Sequence, residues 1–111
     1  MNDPKFQIYK GQDEQLYFRL RASNGEVILV SEGYVSESGC RNGVDSVKEN
    51  AVKDERYQRN VAGDGQFYFL LLAANGEVIG NSEMYSSEAV RDQGIAAVKK
   101  TAPTAPVEIL V

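Results

Sequence analysis

Histidine and tryptophan are absent from the 111 residues, cysteine occurs once and proline three times. Without histidine the chain lacks the commonest metal ligand and the commonest general base. Cys40 alone supports neither an intramolecular disulfide framework nor a cysteine-based zinc site. A nucleophilic serine would then need a lysine or carboxylate as its base, and no such arrangement is legible, so the chain reads as non-enzymatic, with no metal and no cofactor. One thiol and no disulfide predict a reducing, cytoplasmic setting. Long apolar runs are missing as well. The longest, Phe67–Ala74, is far too short to cross a bilayer, so no membrane is expected. Met1–Lys10 carries charges and a proline where a secretion signal needs an apolar stretch. Positive charge is in deficit, 12 Lys and Arg against 16 Asp and Glu, for a net charge of −4. That balance argues against nucleic acid as a partner, since such binding rests on neutralising phosphates.

What is present is a duplication. Gln15–Lys48 aligns without gaps on Gln66–Lys99 at an offset of 51, and 18 of the 34 positions are identical. Each copy centres on Asn-Gly, Asn24–Gly25 and Asn75–Gly76, a dipeptide that accepts the positive φ of a tight hairpin. Fifty residues make a marginal domain, so the two copies, about residues 5–55 and 56–111, are expected to share one sheet and one core as an intramolecular pseudo-dimer.

Lys5–Lys10 alternates apolar with polar residues, the period of a half-buried strand. Leu16, Phe18, Leu20 and Ala22 then face a core, with Tyr17, Arg19 and Arg21 on the other side. Glu26–Val30 is a β-branched run fit for the return strand. Its register stays open: a two-residue loop pairs Ala22 with Val27, whereas a three-residue loop with a bulge at Gly25 pairs Leu20 with Ile28. Ser36 caps a helix whose apolar positions Cys40, Val44, Val47 and Ala51 share one face. In the second copy Ser86 or Ser87 caps, and Val90, Ile95, Val98 and Ala102 form a looser stripe. Gly43 and Gly94 fall mid-helix, each costing about 1 kcal/mol against alanine. Close approach of helix to sheet is the expected compensation. Since Cys40 aligns with Arg91, this position is expected at the core boundary rather than deep within it. Arg56–Asn60 and Val107–Val111 recur at the same offset as Lys5–Tyr9. The order is therefore strand, hairpin, helix, strand, hairpin, helix, strand, with the apolar end Val107–Val111 paired inside the sheet.

Two sets of residues are candidates for function. The strand-to-helix junctions repeat Ser-Glu-x-Tyr-x-Ser as Ser31, Glu32, Tyr34 and Ser36, and again as Ser82, Glu83, Tyr85 and Ser87. Polar groups beside a helix N-terminus favour a small anion, although capping and tyrosine packing also explain these residue types. The second set is the face away from Phe69 and Leu71, where Tyr68, Leu70 and Leu72 stand in place of Tyr17, Arg19 and Arg21. If helices cover only one side of the sheet, these leucines are open to a protein partner, to a second copy of the chain, or to the chain's own tail.

The motifs F-x-I-Y-K at Phe6–Lys10, Y-F-R-L-x-A-x-N-G-E-V-I at Tyr17–Ile28, S-E-G-Y-x-S at Ser31–Ser36 and N-G-V-x-S-V-K-x-N-A at Asn42–Ala51 resemble the YegP family of small bacterial proteins. The resemblance implies an α+β fold. Two tandem β-β-β-α-β units assemble into one antiparallel sheet with exchanged C-terminal strands, and both helices pack on it. The family has no established biochemical function, so no catalytic residue carries over. The second copy departs from the motifs where Arg59 and Asn60 replace Ile8 and Tyr9, Met84 replaces Gly33, and Gln93 replaces Asn42.

Overall fold

The computed structural model describes residues 3–111, so Met1 and Asn2 of the leader lie outside the described residues. The chain runs β1 (Lys5–Lys10), β2 (Leu16–Arg21), β3 (Val27–Val30), α1 (Glu37–Asn50), β4 (Tyr57–Val61), β5 (Phe67–Leu72), β6 (Val78–Asn81), α2 (Glu88–Thr101) and β7 (Val107–Ile109). One seven-stranded sheet has the order β4-β5-β6-β3-β2-β1-β7. The α+β architecture of two units sharing one sheet holds, and both closing strands serve the other unit: β4 pairs with β5, and β7 pairs with β1. The sheet is antiparallel at five pairings and parallel at β1–β7. It is therefore mixed rather than wholly antiparallel. A long crossover through α2 brings β7 to the far edge in the direction of β1.

Each hairpin closes by a three-residue loop. Gly25 N donates to Ala22 O and Ala22 N to Glu26 O, both at 2.9 Å, and Gly25 sits at φ 86. Gly76 repeats this against Ala73. The ladder then slips, because Arg21 faces Val27 but Leu20 faces Leu29 rather than Ile28. Ile28 is the extra residue of a bulge, which bends β3 over the core and buries both Ile28 and Leu29.

The two units meet at β3–β6, where Val30 pairs with Asn81. These residues are equivalent in the repeat, so a pseudo-twofold axis passes between them. Leu29 and Gly80 are the next equivalent pair. A Cβ on Gly80 would lie 2.7 Å from Leu29 Cγ, so the seam accepts one large side chain and not two.

Both helices lie on one side, closing a single core of Phe6, Ile8, Phe18, Leu20, Leu29, Phe69 and Leu71 under Cys40, Val44, Val47, Ile95 and Val98. Each helix also reaches the opposite unit, α1 over β6 and α2 over β3. The caps are Ser36 and Ser87. Two expectations are corrected here. Val90 is 39% exposed and lies off the stripe, whose upper position is taken by Arg91. Cys40 is fully buried rather than at the boundary, and Arg91 itself is only 6% exposed. Arg91 tolerates that burial because its guanidinium lies 5.7 Å from the centre of the Phe67 ring and meets the carboxylates of Asp92 at 3.3 Å and Glu88 at 3.7 Å.

Candidate functional site

Strand alternation decides what the helix-free face carries. One row crosses the whole sheet through paired residues: Gln58, Leu70, Asn81, Val30, Arg19, Gln7 and Glu108. In the second unit this face is neutral, with Tyr68, Leu70 and Leu72 half-buried beside Val78. In the first unit it is aromatic and cationic. The rings of Tyr9 and Tyr17 stack at 5.8 Å, the Arg19 guanidinium lies 4.6 Å above Tyr9, and the Tyr17 hydroxyl donates to Asp13 at 2.6 Å. That hydrogen bond lowers the Asp13 carboxyl below its ordinary value and raises the Tyr17 phenol.

Gln7 organises the cations. Its side-chain oxygen accepts from Arg19 Nε at 2.8 Å and from Arg21 Nε at 2.7 Å. Its amide nitrogen donates to Glu108 Oε1 at 2.7 Å, and Lys5 Nζ lies 3.7 Å from the same oxygen. The Gln7 bond, with Lys5 second, holds the Glu108 carboxyl below its usual range. Donors on one side and a carboxylate on the other fix which way the Gln7 amide points. Gln7 is 8% exposed, so the network rests on a buried anchor and presents the two arginines, half-buried, to solvent.

The strand-to-helix junctions are built twice. Ser31 Oγ accepts from Phe18 N at 2.9 Å and donates to Glu32 O at 2.8 Å; Ser82 does the same with Phe69 N and Glu83 O. Ser36 Oγ accepts from Gly39 N at 3.1 Å and Ser87 Oγ from Val90 N at 3.2 Å. Tyr34 stacks on Phe18 and Tyr85 on Phe69, and each ring lies where the Cβ of Gly43 or Gly94 would be, 2.5 Å from the Tyr85 hydroxyl oxygen in the second copy. The repeated tyrosine and the repeated mid-helix glycine are therefore one packing feature. Glu32 and Glu83 are exposed. Burial pushes the Cys40 thiol up to about 11, with Glu37 adding to it, which leaves it a poor nucleophile. Among the described residues no group of three or more His, Cys, Asp or Glu is placed to hold a metal, and no helix is long and apolar enough to cross a membrane.

Sequence reasoning placed Tyr68, Leu70 and Leu72 on this face but missed the Gln7 network. Gln7 and Glu108 are 101 residues apart, and only the parallel docking of β7 brings them together.

Residues 12–58 and 62–108 each match the family model described as Domain of unknown function (DUF1508). The chain belongs to the DUF1508 family. DUF1508 relatives include a UPF0339 protein encoded in the ptx operon 5′ region of Stutzerimonas stutzeri, 52% identical over 102 residues and covering 92% of both chains. UPF0339 protein YegP of Escherichia coli is 46% identical over 94 residues, covering 85% of this chain and 86% of YegP. The solution structure of E. coli YegP superposes with a TM-score of 0.92 at 40% identity, covering 99% of this chain and 95% of that one. A Shewanella oneidensis UPF0339 protein superposes with a TM-score of 0.91 at 43% identity, covering 96% and 91%. DUF1508 membership thus fixes the tandem α+β fold and assigns no residue a role.

Proposed function

We propose that this protein is a non-enzymatic interaction module, acting in the cytoplasm as a monomeric pseudo-dimer, that binds another protein on the helix-free face of its sheet. The observation that carries the reading is the one-sided helix layer. It leaves Tyr9, Tyr17, Val30, Tyr68, Leu70 and Leu72 half-buried on a single surface that no described element covers. Apolar and aromatic side chains gathered on one uncovered face, here interspersed with Asn81, Arg19 and Gln7, favour an interaction site. Absence of histidine and the commitment of the junction serines to main-chain bonds support a non-catalytic role.

The test is Leu70→Arg with Leu72→Arg. We expect stability to change by less than about 1 kcal/mol, as for surface substitutions. In parallel, a photo-crosslinking residue at position 70 should capture a protein in bacterial cells while one at the exposed helix position Asp45 does not. A collapse in melting temperature would assign the two leucines to internal packing, and equal capture from both positions would overturn the reading.

A further inference from the structure

We infer that the first-unit half of this face is a carboxylate receptor, and that the module's partner is an acidic, amphipathic segment of another protein. The inference rests on the proposed binding face and names the chemistry it selects. Arg19 and Arg21 both place Nε within hydrogen-bonding distance of one neutral oxygen, Gln7 Oε1. Arg41, Arg59 and Arg91 each meet a carboxylate, and Arg56 bonds Asn50 Oδ1 alone; among the described residues Arg19 and Arg21 meet no carboxylate, and the acceptor they share is neutral. Two like charges held side by side on a neutral acceptor repel each other, and an anion between them reverses the sign of that interaction. The pair is also pre-arranged. Gln7 is buried and held by Glu108, the Arg19 guanidinium rests on Tyr9, and Arg21 Nη1 is tied to Gly25 O at 2.7 Å. Among the described residues both Nη groups of Arg19 and Nη2 of Arg21 have no protein acceptor. The two Nη groups of Arg19 thus form a fixed fork that suits a carboxylate, and Arg21 Nη2 adds a single further donor.

Charge balance favours an acidic protein over nucleic acid. Lys5, Arg19 and Arg21 outnumber the two carboxylates on this surface, Glu108 and the Asp13 held by Tyr17, although the chain as a whole carries −4. Three cations on an acidic protein complement a few carboxylates but not a polyphosphate backbone. Tyr9 and Tyr17 already stack on each other and under Arg19, which leaves them less free to stack on bases. The apolar side of the segment would lie on Val30, which pairs with Arg19, and on Leu70, which continues the same row beyond Asn81.

The test titrates the full chain, by amide shifts and anisotropy, with a soluble peptide alternating Glu-Glu with Leu-Leu, its Gln-for-Glu counterpart, oligo(dT) and sodium phosphate. The Glu peptide should bind, move the amides of Gln7, Arg19, Arg21 and Leu70, and weaken with salt. Arg19→Gln with Arg21→Gln should lower its affinity at least about tenfold without changing the melting temperature. Arg19→Lys with Arg21→Lys, which keeps charge but loses the fork, should fall between. Equal binding of the Gln peptide would overturn the carboxylate receptor while leaving the interaction module standing. Tighter binding of oligo(dT), phosphate alone producing the same shifts at the same affinity, or no probe moving this face would each overturn it too. The crosslinking test above remains independent of all four.

Discussion

The two repeats share their hairpins, caps and tyrosine-on-glycine packing, yet they differ wherever the shared sheet gives them different surroundings. Ile8 is buried on β1, whose outer edge β7 pairs, while its counterpart Arg59 lies on the open edge strand β4 and bonds Asp54 at 3.1 Å and Asp92 at 3.4 Å. A charge directed toward the helix side of an edge strand discourages a further strand from adding there. Leu29 at the pseudo-twofold seam is matched by Gly80, and Arg19 and Arg21 on the open face by Leu70 and Leu72. Duplication within one chain permits this. A symmetric dimer of one repeat would place the same residue at both positions of every pair, including the seam, where two leucines do not fit. The lesson is that local motif residues are repeated and residues at the joints are specialised.

The largest test removes the strand that distinguishes the two edges. Truncation after Ala105 deletes β7 and uncovers Phe6 and Ile8, now wholly buried; we expect a loss of about 3 kcal/mol or more from apolar exposure and broken pairing. Thermal melting should fall by more than about 10 °C, and an unchanged midpoint would show that β7 contributes nothing to the sheet. Next comes the seam. Gly80→Ala should cost about 1–3 kcal/mol by overpacking against Leu29, and the exchange Leu29→Gly with Gly80→Leu should be more stable than Gly80→Leu alone. Purely additive costs in that cycle would mean the two residues do not share one space.

A smaller effect is expected at the first turn of each repeat. Glu14 has φ 65 where its equivalent Gly65 has φ 85, and the left-handed region disfavours a side chain. Glu14→Gly should therefore stabilise by up to about 1 kcal/mol in denaturant titration, and Gly65→Ala should destabilise. The smallest effect concerns the β4 edge. Hydrogen bonds from Lys99 and then Arg59 lower the Asp54 carboxyl below its ordinary 3.8. A carboxyl lowered on folding stabilises above its unfolded value and loses that contribution as pH falls through the folded one. The melting difference between the parent chain and Asp54→Asn should thus be steady at neutral pH and shrink as pH drops below 3.8. Because Asp54 is exposed, the difference will be slight.

Features set by near neighbours in the chain were legible beforehand. The turns at Asn24–Gly25 and Asn75–Gly76, the cap at Ser36 and the stripe Cys40, Val44, Val47 and Ala51 need only local rules. Tyr68, Leu70 and Leu72 could be assigned to the far face by alternation alone. The Ile28 slip, the burial of Arg91 and the Gln7 anchor of the candidate site could not. Each depends on a contact between elements: β3 bending over the core, Phe67 and two carboxylates enclosing a guanidinium, and β7 arriving beside β1.

By itself the sequence determined that there are two copies of one unit, where each turns and caps, and which residues of β1, β2 and β5 face a core, because those outcomes follow from φ preferences and side-chain periods over a few residues. Tertiary structure decided which strands meet across the axis, that β7 runs parallel at one edge while β4 stays open at the other, and that two arginines share one buried glutamine. Those arrangements arise from packing and pairing between segments up to 101 residues apart, whose energies exist only once the sheet has closed.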